Sequence, residues 1–116
     1  MTFLEYPSCS TCRKAKKWLD EKGLPYEDRH IKEHSPSYEE LKSWQERSGL
    51  PLKKFFNTSG LQYRALELKD KLPAMTQEEQ LTLLASDGML VKRPILVTET
   101  AVLVGFKAEQ WEKELV

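Results

Sequence analysis

The chain has no excess of either charge and no long hydrophobic run. Its 18 basic and 18 acidic side chains give a formal net charge of zero, so no broad attraction to DNA, RNA or anionic lipid is expected. Nowhere do about 18 apolar residues follow one another, and the first residues lack the basic and apolar regions of a signal peptide. We therefore expect a cytosolic (cytoplasmic) protein that contacts neither nucleic acid directly nor membranes.

Glycine and proline are also scarce, with 5 and 6 residues among 116. Apolar residues make up 40% of the chain and charged residues 31%, which is typical of a globular protein and excludes a disordered or fibrous one. A chain of this length can bury its own hydrophobic core without metals or disulfides. We expect a single domain over residues 1–116.

Cysteine occurs only twice, at Cys9 and Cys12, three positions apart. In the reducing cytosol a lone pair of cysteines is more typical of catalysis, redox sensing or metal binding than of a permanent disulfide. The function of this chain therefore depends on where the fold places the pair.

The elements around the pair follow from hydrophobic periodicity. Residues 2–6 are rich in strand formers and end at a proline. A helical pattern starts near Cys12, with Ala15 and Leu19 on one face, and Gly23 stands at the expected C-terminal cap. Residues 24–31 predict a second strand. The two cysteines thus lie in the loop of a βαβ unit.

The remaining elements indicate the fold class. Capping signals near Ser37 and Thr76 predict helices in the segment 36–88. Residues 95–98 and 101–104 predict an antiparallel hairpin, and a last helix starts near Ala108. The sequence therefore predicts an α/β protein with a thioredoxin-like fold, a mixed sheet of about four strands. The core spans residues 1–35 and 89–116, and the helical insertion spans about 36–88.

The expected chemistry of the pair follows from thiol ionisation. A thiol attacks only as the thiolate, and at a pKa near 8.5 only about 3% is ionised at pH 7. Unpaired amides and the dipole at a helix N-terminus favour the anion. If the helix starts near Ser10, Cys9 caps it and Cys12 lies one turn inside, with Arg13 nearby. We assign Cys9 as the exposed nucleophile and Cys12 as the resolving thiol.

A zinc site is the specific alternative. The only histidines, His30 and His34, combine with Cys9 and Cys12 into an apparent Cys2His2 set. The gap between Cys12 and His30 is longer than the roughly 12 to 15 residues typical of such sites, and a complete helix and strand fill it. We therefore expect no metal and no organic cofactor.

Arg93 and Pro94 form the second informative site. A proline directly before a strand in this architecture matches a cis-proline that faces the redox loop and holds a substrate backbone, and an ordinary loop proline is the alternative. Arg93 is expected to bind an anionic ligand or stabilise the Cys9 thiolate. Arg13, Arg93 and Pro94 are thus the predicted supporting residues.

Four motifs resemble the ArsC/Spx family over almost the whole chain. They are Tyr-Pro-Ser-Cys-Ser-Thr-Cys-Arg-Lys-Ala at 6–15, Phe-Phe-Asn-Thr-Ser-Gly at 55–60, Val-Lys-Arg-Pro-Ile-Leu-Val at 91–97 and Val-Gly-Phe at 104–106. The resemblance implies a thioredoxin-like fold with a helical insertion, in agreement with the elements above. It also implies a redox-active Cys9–Cys12 disulfide.

Arsenate reductases of this family use one nucleophilic cysteine, matched by Cys9, and three arginines that bind the oxyanion. Arg93 matches one of the three. Asn57 stands at the position of the second, and the region of the third contains Gly105. Because each lost charge-assisted hydrogen bond is worth roughly 1.5 to 3 kcal/mol, arsenate reduction is not the function that these residues favour.

The Spx branch implies a transcription regulator that binds the α subunit of RNA polymerase and is switched by its disulfide. This chain shares both cysteines with that branch, but it has no long basic tail after the last helix, and residues 48–54 differ from the acidic docking segment. We expect a thiol-disulfide oxidoreductase of the short ArsC-like type, reduced by thioredoxin, glutaredoxin or a low-molecular-weight thiol. A redox-switched regulator and an arsenate reductase stay open as alternatives.

Overall fold

A mixed four-stranded sheet forms the centre of the computed structural model, which describes residues 1–115. Its strands, in chain order, are β1 (Thr2–Glu5), β2 (Glu27–His30), β3 (Ile95–Val97) and β4 (Val102–Val104). The order across the sheet is β2-β1-β3-β4, with β1 parallel to β2 and the other two pairs antiparallel. The predicted α/β class, the four-stranded mixed sheet and the hairpin are confirmed.

Helix α1 (Ser10–Glu21) connects the two parallel strands. Its buried residues Cys12, Ala15 and Leu19 recur at helical spacing and face the sheet. Gly23 follows in the left-handed region with φ 67°, a conformation that glycine adopts without steric cost. The Leu24 N–H donates back to the Leu19 carbonyl at 3.1 Å.

That return hydrogen bond corrects one predicted boundary. We expected a strand over residues 24–31, but β2 covers only Glu27–His30. The backbone of Leu24 completes the end of α1, and Pro25 has no N–H to donate to a neighbouring strand. Strand pairing therefore begins only at Glu27, whose N–H donates to the Met1 carbonyl at 2.8 Å.

The segment between β2 and β3 is helical, as predicted. It contains α2 (Tyr38–Ser48), α3 (Leu61–Ala65), α4 (Leu68–Lys71) and α5 (Gln77–Ser86), with 3₁₀ turns at Leu52–Phe55, Leu72–Ala74 and Gly88–Leu90. Complete capping boxes start two of these helices, Ser37 with Glu40 and Thr76 with Glu79. The two capping predictions are confirmed.

Two hydrophobic clusters cover opposite faces of the sheet. Phe3 packs with Ala15 and Leu19 of α1 and with Trp111 of the last helix, α6 (Ala108–Leu115). Leu4, the next residue of β1, packs instead in the cluster formed with the inserted helices. This alternation follows from the two-residue period of a strand. It also places Glu5 on the same face as Phe3, beneath α1.

The chain after the insertion returns close to the end of β2. A Cβ atom at Gly88 would lie 1.9 Å from the Ile31 carbonyl oxygen, so only glycine fits this approach. The contact brings the segment 87–93 next to the residues that follow β2. It forms one wall of the site around Cys9.

Candidate active site

Cys9 is the N-cap residue of α1. Its backbone is extended, with φ −80° and ψ 124°, and its carbonyl accepts the first helical hydrogen bond from the Arg13 N–H at 3.0 Å. The Cys9 N–H donates to the Tyr6 carbonyl at 2.9 Å, which closes the loop after β1. Cys9 is half-buried, whereas Cys12 is fully buried. The helix starts at Ser10, two residues before the predicted start of the helical pattern, and this meets the condition on which the roles of the two cysteines were assigned.

The surroundings of Cys9 favour its thiolate. Partial burial alone would raise the pKa of Cys9, but the Cys12 amide, the Cys12 thiol, the Thr11 amide and the positive charge of Arg93 together lower it. The sulfur makes no close capping hydrogen bond, so these donors act on the anion from the open first turn of the helix. The net effect is a thiolate that forms more readily than that of an ordinary cysteine.

The surroundings of Cys12 have the opposite effect. Burial, followed by the influence of the Cys9 sulfur and its charge, raises the pKa of Cys12 to about 12, while the Tyr6 amide and Arg93 act against the shift. At neutral pH Cys12 is therefore a thiol, and it lies close to the Cys9 sulfur. The two cysteines differ in both access and ionisation, as the roles assigned from the sequence require.

Arg93 and Pro94 lie against this loop. The Arg93–Pro94 peptide bond is cis, and the Pro94 carbonyl accepts a hydrogen bond from the Gly105 N–H at 2.8 Å. The Arg93 guanidinium lies over the Tyr6 ring, 5.2 Å from its centroid. Its Nε and Nη1 atoms are buried and donate to no acceptor among residues 1–115. Because buried donors in folded proteins normally have partners, these two mark Arg93 as a candidate anion-binding residue.

Cys9 opens into a cavity of about 540 Å³. Polar and charged side chains from four separate segments line it, among them Thr11, Lys32, Asn57, Ser59, Asp87, Lys92 and Arg93. Among these side chains, Asn57 and Arg93 were compared with the arginines of arsenate reductases on the sequence alone. Ser59 belongs to the motif at 55–60 but had no predicted role. Lys32 and Asp87 lie in none of the motifs, so their place at the site depends on the tertiary fold.

Glu5, at the end of β1, is a buried carboxyl group that sequence reasoning missed. It is 4% exposed, and its Oε2 atom accepts no hydrogen bond from the described residues. Burial, together with a hydrogen bond and repulsion from Asp28, raises the pKa of Glu5 to about 7, while Lys16 acts against the shift. The Lys16 Nζ lies 3.7 Å from Glu5 and 2.8 Å from Asp28. The signal that could have revealed its burial is the two-residue period of β1, which places Glu5 on the same face of the sheet as the apolar Phe3.

Other predicted residues lie away from the Cys9 sulfur. Arg13 is exposed and donates to the Ser8 carbonyl at 3.4 Å, and it does not line the cavity. The His30 Nδ1 atom accepts hydrogen bonds from the Lys32 and Glu33 amides, both at 3.2 Å. His34 is exposed in the following turn.

Two further properties concern the described part of the chain as a whole. Within residues 1–115, no three His, Cys, Asp or Glu side chains are grouped closely enough to bind a metal ion. None of the helices in this range has the length and apolar character needed to cross a membrane.

Comparison with known proteins supports one family. The model of the ArsC family matches residues 4–114. YusI of Bacillus subtilis (strain 168) is 59% identical over 113 residues, which cover 97% of this chain and 96% of YusI. The global transcriptional regulator Spx of Enterococcus faecalis (strain ATCC 700802 / V583) is 30% identical over 111 residues, which cover 95% of this chain and 82% of Spx.

A solved structure resembles the whole chain. The crystal structure of an ArsC family related protein from Bacteroides fragilis superposes with a TM-score of 0.94 at 62% sequence identity. The match covers 97% of this chain and 94% of that one. The thioredoxin-like fold predicted from the order of elements is thereby confirmed.

Proposed function

The chain belongs to the ArsC family, and from that premise we propose that it is a thiol-disulfide oxidoreductase that uses Cys9 and Cys12. One observation carries the proposal: two neighbouring sulfur groups have opposite pKa shifts, with the more accessible Cys9 shifted down and the buried Cys12 shifted up. Two thiols without a redox role would not require this difference in pKa. An enzyme that attacks with one thiol and resolves with the other requires it.

The first step is attack of the Cys9 thiolate on a substrate disulfide. A bond forms between the Cys9 sulfur and one substrate sulfur, the substrate disulfide bond breaks, and the other substrate half leaves as a thiolate. Arg93 lines the cavity, and its positive charge stabilises the negative charge that moves through the site.

The second step is resolution by Cys12. Once Cys9 is bonded to substrate it has no negative charge and accepts no thiol proton, so two of the causes that raise the Cys12 pKa disappear. Cys12 then loses its proton and attacks the Cys9 sulfur. The Cys9–Cys12 disulfide forms and the second substrate half leaves as a thiolate, so the substrate gains the two electrons that the protein loses. Thioredoxin, glutaredoxin or a low-molecular-weight thiol returns the pair to the dithiol in the cytosol.

Trapping of the intermediate tests this sequence of steps. With a small disulfide as substrate, the Cys12→Ser variant should accumulate a mixed disulfide at Cys9, detected as an adduct by intact mass. The unmodified chain should instead lose about two mass units as the intramolecular disulfide forms. Equal adduct formation by the Cys9→Ser variant would show that the roles of the two cysteines are wrongly assigned.

A redox-switched regulator is the second candidate, favoured by the similarity to Spx. In that case the Cys9–Cys12 disulfide would change an interface for the RNA polymerase α subunit. Binding of the purified C-terminal domain of that subunit, measured with the oxidised and the reduced chain, distinguishes the two. Redox-dependent binding without reduction of any disulfide would favour the regulator.

A further inference from the structure

A second cavity adjoins the one at Cys9. It has a volume of about 740 Å³ and shares Thr11 and Lys92 with the first. Phe56 and Phe106 contribute apolar surface to it. The two cavities therefore form one groove that runs from the nucleophile past the start of α1 toward α6.

The second cavity is strongly cationic. Four lysines line it, namely Lys53, Lys54, Lys92 and Lys107, and no carboxylate among residues 1–115 does. None of the four forms an ion pair within 4.0 Å among residues 1–115, whereas Lys16, Lys17 and Lys22 elsewhere are paired. The whole chain is neutral, so this charge is a local feature of the groove.

Each of the two cavities that form the groove has the volume of a small-molecule site. Ligand sites of about 300 to 1,000 Å³ enclose small molecules and combine apolar surface with a few charged groups. Unpaired positive charge that lines a concave surface concentrates anions and raises their association rate. A ligand with carboxylates fits the lysines, and a disulfide within it would reach Cys9 through the shared boundary at Thr11 and Lys92.

We propose that the substrate of Cys9 is a small disulfide that carries carboxylates, and that the half bonded to Cys9 extends into the groove among Lys53, Lys54 and Lys107. This inference rests on the proposed oxidoreductase function. The Cys9 thiolate forms the new S–S bond, the substrate S–S bond breaks, and the other acidic half leaves as a thiolate. Resolution by Cys12 then releases the bound half, and the external reductant named above restores the dithiol.

A series of charged disulfides tests the inference. The full-length Cys12→Ser variant stops at the mixed disulfide, so its rate of adduct formation can be followed by intact mass. The probes are glutathione disulfide, which is anionic, 2-hydroxyethyl disulfide, which is neutral, and cystamine, which is cationic. Each rate is divided by the rate of the same disulfide with free 2-mercaptoethanol, which removes differences in intrinsic reactivity.

We expect the normalised rate to be highest for glutathione disulfide and to fall with added salt. Replacing Lys53, Lys54 and Lys107 together with Gln should lower the anionic-to-neutral rate ratio about tenfold. A matched variant changes the same net charge at the exposed Lys42, Lys71 and Lys113, which line neither cavity, and it should leave the ratio unchanged.

Two outcomes would overturn the inference while the oxidoreductase function stands. One is equal normalised rates for anionic and neutral disulfides, and the other is an equal loss of the ratio in both triple variants, which would assign the preference to overall charge. If no disulfide forms an adduct with Cys9, the proposed function fails as well, and the inference fails with it.

Discussion

The Cys12 thiol lies beside the Cys9 sulfur, and this proximity lowers the pKa of Cys9 while it raises that of Cys12. The relationship depends on helix α1, which places one cysteine at its N-cap and the other in its first turn with the side chain buried. Both thiols thus take their properties from a single helix start. Removing either one should change the other.

Replacing Cys12 with Ala tests this dependence. The Cys9 thiolate loses a hydrogen-bond donor, so the pKa of Cys9 should rise and less thiolate should be present at pH 7. Alkylation of Cys9 by iodoacetamide, measured from pH 5 to pH 10, should show its midpoint at a higher pH than in the unmodified protein. A Cys12→Ser variant retains a hydroxyl donor, so its midpoint should lie between those of the Ala variant and the unmodified protein. An unchanged midpoint in the Ala variant would contradict the contact.

The two arginines near the loop should differ in importance. Arg93 lines the cavity and its charge lowers the pKa of Cys9, whereas Arg13 is exposed and contacts the Ser8 carbonyl. We expect Arg93→Gln to slow mixed-disulfide formation at pH 7 about tenfold, because the Cys9 thiolate loses its interaction with the positive charge of Arg93. Arg13→Gln removes the same charge and should slow it about twofold or less. Rates of adduct formation in the Cys12→Ser background measure both, and equal losses would contradict the geometry.

Local signals were sufficient to predict much of this fold. The apolar face of α1, the capping boxes at Ser37 and Thr76 and the hairpin of β3 and β4 are each encoded within a few neighbouring residues. The predicted end of the second strand was right within one residue. Its predicted start was wrong, because the Leu24 N–H donates to the Leu19 carbonyl of α1. That competition between helix end and strand start is not visible in hydrophobicity alone.

The candidate site could be predicted only where it has a motif. Cys9, Cys12, Arg93 and Pro94 belong to short patterns that carry chemistry by themselves. The lysines of the groove come from segments that are distant in sequence, and each is unremarkable among 18 basic residues. Their convergence is a property of the tertiary fold, which no local pattern encodes.

The raised pKa of Glu5 should make the protein less stable as pH rises toward neutral. Its pKa is about 7 in the folded protein against 4.5 for the ordinary group, so between these values the folded state binds more protons than the unfolded state. The free energy of unfolding should therefore fall as pH rises from 4.5 to 7 and change no further above that, with a loss of up to about 3 kcal/mol. Asp28, His30 and Lys16 face this group from β2 and α1.

The Glu5→Gln variant should lack this loss. Urea unfolding at pH 5 and pH 8 gives the two free energies, and the difference between them should shrink relative to the unmodified protein. The exposed Glu33 provides a control, since Glu33→Gln should keep the original difference. A Glu5→Gln variant that loses stability between pH 5 and pH 8 as the unmodified protein does would exclude Glu5 as the responsible group.

Arsenate should not be turned over by this protein. Asn57 lines the Cys9 cavity and Gly105 the adjoining one, where arsenate reductases of the family place arginines according to the resemblance of the motifs. Arg93 is the only guanidinium that lines the cavity, and the lysines there lack the planar, bidentate geometry that grips an oxyanion. Two missing charge-assisted contacts, at roughly 1.5 to 3 kcal/mol each, would weaken binding by at least about a hundredfold.

Oxidation of a coupled reductant measures this directly. With NADPH, thioredoxin reductase and thioredoxin, or with the glutaredoxin system, arsenate should leave the rate at its background value, while glutathione disulfide should raise the thioredoxin-coupled rate above that of the same mixture without this protein. An Asn57→Arg variant restores one guanidinium beside Cys9 and should show measurable arsenate affinity by protection of Cys9 from alkylation. Arsenate-dependent oxidation by the unmodified chain would mean that Lys32 and Lys92 replace the missing arginines, and that Cys9 is an arsenate nucleophile after all.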